Sequence, residues 1–284
     1  MARKEGNNMV KIVTDSTCDL SKDQVRQYGI TAVANLHVIF GAKTYEDGVT
    51  ITKQQFYERL KTDPNFPSTS QPAVGDFVSI YEGLKGEEII SIHVSRDLSG
   101  TIASAEAARE MAGGNITIID SRNVNAGLSL LVIHATRMAQ AGATVAEIKA
   151  EIASMIPRTR LVFTLETLEN LRRGGRIGAA QAFVGSMLQF KPIIAVKDGR
   201  LEPVERVRTL NKAILRLRDI AVQDLGGNTE RQLGFMHAAA PAAANDLMTA
   251  CGQSLKLKDP VVIEVGPVVA THAGPGAVGV AYTI

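Results

Sequence analysis

Val10-Lys11-Ile12-Val13-Thr14-Asp15-Ser16-Thr17-Cys18-Asp19-Leu20-Ser21 sets a β-branched run directly against a cluster of helix-capping residues. The run reads as a strand, and Ser21 or Asp19 serves as the N-cap of a helix reaching Tyr28. Outward from this unit the alternation repeats. Thr31 to Phe40 is extended, helices cover Thr52 to Lys61 and Val74 to Lys85, and Glu88 to His93 is a strand. A helix from Thr101 to Ala112 and a strand from Ile116 to Ile119 follow. Short strands joined to helices by short loops predict a parallel sheet covered on both faces.

Two consecutive helices, Asn125 to Gln140 and Thr144 to Met155, break the alternation and are closed by Pro157. Beyond them Arg160–Leu165, Pro192–Val196, Leu201–Val207, Gln232–Met236, Val261–Val265 and Gly279–Ile284 read as strands, several spaced for antiparallel pairing. Helices fill Ala179–Gln189, Leu210–Leu225 and Ala242–Gly252. The fold class expected is α/β, with an N-terminal parallel-sheet α/β domain over residues 10–160 and a C-terminal α+β domain over residues 161–284. Residues 1–9 are expected to be a flexible extension.

The 284 residues, 45% of them apolar, suffice for two ordinary domains. Lys and Arg total 31 against 29 for Asp and Glu, a formal charge of +2 that exerts no global pull on nucleic acid. Cys18 and Cys251 form no CxxC, and the chain shows no leader pattern, so a cytoplasmic protein is expected. The apolar run from Ala126 to Ala135 falls short of the roughly 20 residues that cross a bilayer. No transmembrane segment is expected, which leaves room only for transient membrane contact. No His, Cys or acidic residues show metal-ligand spacing.

Chemistry-bearing residues gather in loops. Asp15 closes a parallel strand, where it either caps the next turn or faces the crevice in which open α/β sheets bind ligands. Thr69-Ser70-Gln71-Pro72 and Leu98-Ser99-Gly100-Thr101 each precede a helix start, so they are caps or, together, an anion cradle. Thr271-His272-Ala273-Gly274 places a histidine on a glycine-rich turn that either is bland or lies near a ligand. Arg172-Arg173-Gly174-Gly175-Arg176 is a basic loop, reinforced by Arg206, Arg208 and Lys212, that is a solvated face or a dock for a phosphate-bearing partner. Gly274-Pro275-Gly276-Ala277-Val278-Gly279 matches a dinucleotide pattern literally, but only five residues follow it and no helix can open there.

Taken in order, Asp15-Ser16-Thr17, Tyr45-Glu46-Asp47-Gly48, Thr69-Ser70-Gln71-Pro72, Leu98-Ser99-Gly100-Thr101, Asp120-Ser121, Thr167-Leu168-Glu169 to Gly178, Lys191-Pro192-Ile193 and Thr271 to Gly276 resemble the DegV family of bacterial fatty-acid-binding proteins. The resemblance spans nearly the whole chain. It implies two domains with one long-chain fatty acid, such as palmitate, sandwiched between them, and no cofactor. Thr69 and Ser99 would hold the carboxylate and His272 would complete the grip, with Ser70 and Gly100 in support. Family members of the kinase type present this carboxylate to a separate ATP-binding fatty acid kinase subunit, which makes an acyl phosphate for phospholipid synthesis. Arg176 and Arg208 match positions that face this partner. Cys18 departs from the small hydroxyl residue common at its position.

A tail of about 14 methylenes at ~0.8 kcal/mol each yields on the order of 11 kcal/mol, offset in part by lost freedom. The head must then find hydrogen-bond donors, because an unpartnered buried carboxylate is prohibitively unfavourable. The expected function is therefore carriage of lipid without catalysis by this chain. The alternative is a stand-alone serine-dependent acyl hydrolase or acyltransferase using Ser99, against which stands the lack of a GxSxG elbow and of an acid to orient His272. A dinucleotide-dependent enzyme is a third class and would require nucleotide binding.

Overall fold

The structure, a computed structural model, describes residues 9–183, 190–226 and 230–284. The first half runs β1 (Lys11–Asp15), α1 (Lys22–Tyr28), β2 (Ala32–Ala34), β3 (His37–Phe40), β4 (Lys43–Glu46), α2 (Lys53–Thr62), β5 (Ser68–Ser70), α3 (Val74–Gly83), β6 (Glu88–His93), α4 (Thr101–Ala112), β7 (Asn115–Asp120), α5 (Asn125–Gln140) and α6 (Val145–Met155). The second half adds β8 (Thr159–Thr164), α7 (Glu169–Arg173), β9 (Lys191–Lys197), β10 (Arg200–Val207), α8 (Leu210–Leu225), β11 (Gly234–His237), α9 (Pro241–Gly252), β12 (Val261–Glu264), α10 (Pro267–Ala273) and β13 (Val278–Thr283).

The expected parallel sheet is present, in the order β2-β1-β6-β7. Successive residues of a strand point to opposite faces, so a strand apolar at every position needs cover on both. Ile12, Ile90 and Ile92 face α5 and α6 through Leu128, Leu131, Ile148 and Ile152. Val13 and Ile89 face α3 and α4 through Phe77, Tyr81, Ala105 and Ala108.

The second sheet, β10-β9-β8-β13-β11-β12, is antiparallel except for the β11–β12 pair. Helices α8 and α9 cover one face over Phe235, Val280 and Tyr282. The other face, with Phe163, Ile194 and Met236, packs with Ala126, Leu130 and Ile133 of α5 and with Phe56 and Tyr57 of α2. Helix α5 is therefore buried on nearly every side, and its apolar surface joins the two sheets. Strands β4-β3-β5 form a third, small antiparallel sheet whose Val38 and Phe40 belong to that same joint core.

The extended run from Thr31 to Phe40 is two strands in different sheets, parted at Asn35-Leu36. Ser68 to Ser70 is not loop but a strand paired with β3, because alternate hydroxyl side chains leave the ladder free to form. Thr271-His272 lies on α10 and not on a turn, since Pro267 at the first turn starts a helix that Gly274 ends at φ 73°. Arg172 and Arg173 likewise close the short helix α7. Of the helix expected over Ala179–Gln189, Gly178–Phe183 is a 3-10 turn and the remainder lies outside the described residues. The extension expected over residues 1–9 also lies outside them, except for Met9.

Candidate functional site

In the parallel sheet β1 leads to β2 on one side while β6 leads to β7 on the other, so the strand order reverses between β1 and β6. Loops after the two strands diverge there and leave a crevice at the carboxyl ends. Asp15 and His93 end these neighbouring strands. Both side chains are fully buried. The Asp15 carboxylate accepts the N–H of Val94 at 2.9 Å and the N–H of Thr17 at 3.0 Å, and it pairs with His93 Nδ1 at 3.0 Å. It also accepts the Thr17 hydroxyl at 2.5 Å. Of the two roles open to Asp15, the structure shows the stapling one: its carboxylate joins the turn after β1 to the loop after β6.

That loop carries Ser99. Its hydroxyl is 2.9 Å from Thr101 Oγ1 and accepts the N–H of Thr101 at 3.3 Å, across the start of α4. Opposite, Thr69 on β5 stands 3.0 Å from His272 Nε2 on α10. The other ring nitrogen, Nδ1, is buried and has no partner among the described residues. Burial, helped by the Arg176 guanidinium, pushes the His272 pKa down to about 4, so the imidazole is neutral around pH 7. Its Nδ1 lies 2.1 Å from where a Cβ on Gly174 would stand, so the glycine admits the ring.

Thr69, Ser70, Ser99, His272 and Arg176 line one cavity of about 90 Å³, open to solvent at its rim. Its remaining wall is largely apolar: Leu36, Val94, Leu98, Leu161, Phe163, Leu201, Met236, Val268 and Val269, contributed by the antiparallel sheet, by loops that follow β2 and β6, and by α10. Thr17, Gln71 and Asn125 add polar groups. Thr69 and His272 meet through their hydrogen bond and Ser99 lines the same chamber, so polar groups and a largely apolar wall share one cavity.

Gly100 is not part of this wall, but a Cβ there would come within 2.9 Å of Gln71 Nε2, so it lets the loops of Ser99 and Ser70 meet. Arg176 is exposed at the rim and donates to Leu98 O at 3.3 Å and Gly174 O at 2.9 Å. Arg208 is exposed after β10 and stands outside the cavity. Gln71 and Asn125 are site residues that sequence reasoning missed; Gln71 was inside a quoted motif, whereas nothing local marks Asn125 or the apolar wall.

The DegV family model, described as an uncharacterised protein family, matches residues 9–284. The chain belongs to the DegV family. A DegV domain-containing protein of Deinococcus radiodurans is 36% identical over 274 residues, 96% of this chain and 97% of its own length. Among solved structures, a DegV family protein from Thermus thermophilus, described for its fatty acid binding, is 32% identical and superimposes with a TM-score of 0.91 over 98% of this chain and 100% of that one. DegV of Bacillus subtilis, described as a fatty acid binding protein, is 31% identical with a TM-score of 0.87 over 97% of this chain and 99% of that one. The mixed α/β architecture with its two unlike sheets is thus the DegV fold.

Ser91, His93 and Asp15 form a hydrogen-bonded series inside this DegV chain, with Ser91 Oγ 2.7 Å from His93 Nε2. These are the residue types of a hydrolase triad, but all three are fully buried and Tyr81 OH caps the series at 3.0 Å from Ser91 Oγ. The series braces the sheet and reaches the cavity through Thr17 and Val94, both of which donate to Asp15.

Proposed function

We propose that this chain binds one long-chain fatty acid, such as palmitate, with its tail in the cavity and its carboxylate at Thr69, Ser99 and His272, and carries it as a non-catalytic subunit. The observation that carries this reading is the lining of the cavity, a largely apolar wall that also bears Thr69 hydrogen-bonded to a neutral His272 and the hydroxyl of Ser99. A tail and an acid head need those two environments side by side. Fatty acid binding by the related proteins of Thermus thermophilus and Bacillus subtilis supports the same reading.

Ser70 and Gly100 support the head site by setting the paths of the two loops. The two segments, residues 10–160 and 161–284, act as the lobes between which the lipid lies. With His272 neutral and the hydroxyls uncharged, the head keeps most of its negative charge, and charge is what a carboxylate needs to attack phosphorus. The carboxylate is presented to a separate ATP-dependent kinase subunit, which brings the nucleotide and forms the acyl phosphate that enters phospholipid synthesis. Arg176 at the rim and Arg208 beyond it would face that partner.

A serine hydrolase is less well supported, because Ser99 pairs with Thr101 and His272 with Thr69, so among the described residues no base is hydrogen-bonded to the Ser99 hydroxyl. Mass spectrometry of organic extracts from the purified protein tests the proposal. One equivalent of long-chain fatty acid is expected. Protein that neither retains nor takes up any such acid, yet is folded, would overturn it.

A further inference from the structure

Two carboxylates outside the cavity converge on one end of the helix that walls it. Asp19 follows the turn after β1, Asp47 follows β4, and both are buried. A methyl group on Gly266, the residue before α10, would lie 2.4 Å from Asp19 Oδ1 and 3.4 Å from Asp47 Oδ1. The backbone N–H of Gly266 faces the Asp19 carboxylate and that of Val268 faces Asp47, each favouring the charged acid. The two acids together therefore lie against the first turn of α10. From that turn onward, Val268, Val269, His272 and Ala273 form cavity wall. Asn125, also in the wall, donates to Asp19 Oδ2 at 2.5 Å.

Few charges offset the pair. From α2, Lys53 donates to the Asp19 carbonyl at 3.2 Å, and Tyr57 donates to Val265 O at 2.9 Å. Asp15 and Cys18 approach from the turn after β1, Glu264 from β12, and Lys22 and Arg26 line the groove outside. His237 on β11 faces Lys53 and Glu264, and burial lowers its pKa. Ser16 donates to Asp47 Oδ2 at 2.9 Å. Two buried carboxylates beside one ammonium leave a negative charge uncompensated, and one shared proton removes it.

We propose that Asp19 and Asp47 are positioning residues that form a proton-binding clamp on α10, holding His272 and the cavity wall in place when the pair carries a proton and loosening them when it is lost. The inference rests on the fatty-acid reading for what the clamp controls. Burial raises both acids, Asp47 to about 7 and Asp19 well above the ordinary carboxyl range. In an arrangement with α10 displaced, water would reach the carboxylates and restore their ordinary acidity. Protons thus favour the closed form, and rising pH favours the open one.

Release of a bound fluorescent fatty acid, followed by stopped flow into excess palmitate from pH 5.5 to 9, tests this. The dissociation rate should be flat below pH 6.5 and climb above 7 with a slope approaching about tenfold per pH unit. Asp47→Asn, which cannot lose a proton, should release slowly and without that climb, while Thr69→Ala should release faster at every pH with the climb intact. Titration of the ligand's own carboxyl is common to all three proteins and cancels in the comparison. A flat wild-type profile, or an unchanged climb in Asp47→Asn, would overturn the clamp.

Hydrogen exchange of the segment 266–274 in ligand-free protein, corrected for intrinsic rates, reads the same clamp without lipid. Protection should fall above pH 7 in the wild type only. Should the wild type bind no fatty acid at any pH, the functional reading fails while this second measurement still decides the clamp. Should Asp47→Asn not fold, Ser16→Ala removes a hydroxyl that lowers the Asp47 pKa and must move the wild-type midpoint to higher pH. An unmoved midpoint overturns the proposal.

Discussion

His272 stands where a side chain on Gly174 would have to be. Gly174→Ala should therefore displace the imidazole and cut fatty acid affinity at least tenfold while leaving the unfolding midpoint nearly unchanged, a pairing that titration calorimetry and denaturant melts resolve. Thr69→Ala with Ser99→Ala removes the two hydroxyls proposed to donate to a charged head. At about 1.5 kcal/mol or more for each such bond, retention should fall at least a hundredfold; full retention would place the head elsewhere. Residue types at this scale were readable in order along the chain, because hydroxyl motifs and the histidine keep their identity whatever surrounds them. Their pairing was not: Thr69 and His272 are 203 positions apart, and only the folded chain brings them into hydrogen bond.

Elements convert those residues into geometry. Asp15, at the end of β1, receives four donors from Thr17, His93 and Val94, and so ties two loops at the reversal of strand order. Asp15→Asn keeps the volume but lacks the charge and turns one acceptor into a donor. It should cost on the order of 3 kcal/mol in chemical denaturation, since a buried network loses its common acceptor. A loss under about 1 kcal/mol would show that the staple is dispensable. The strand β1 and helix α1 were legible from β-branching and from Ser21, whose side chain and Gln24 make a reciprocal cap. Strand β5 and helix α10 were not, because both are short: β5 depends on β3, distant in sequence, and the seven residues of α10 between Pro267 and Gly274 are too few to show a periodic pattern.

Over the whole molecule, proton linkage runs in opposite directions at the two ends of α10. His272 falls from 6.5 unfolded to about 4 folded, so its contribution to stability is present above pH 6.5 and is lost as pH drops toward 4. Asp47 rises from 3.8 to about 7, so its contribution is complete below pH 3.8 and is lost as pH climbs through 7. Urea melts across pH 4 to 9 should show His272→Ala losing part of the acid-side decline and Asp47→Asn losing part of the alkaline one. Arg176→Ala tests the division of labour between rim and interior. Lipid binding should stay within a few-fold of wild type while partner-dependent phosphorylation drops at least tenfold; if lipid retention is abolished instead, the guanidinium belongs to the head site.

Local pattern by itself determined the α/β alternation, the two consecutive helices that interrupt it, and the hydroxyl and histidine motifs, because periodicity and capping act within a few residues of each other. Tertiary structure alone decided the cavity. Its wall draws Leu36, Phe163, Met236 and Val268 from separate elements, and α5 joins the cores around it by burying opposite sides at once. Apolar packing has no direction along the chain, so residues that meet in a wall carry no mark of their meeting until every sheet has found its cover.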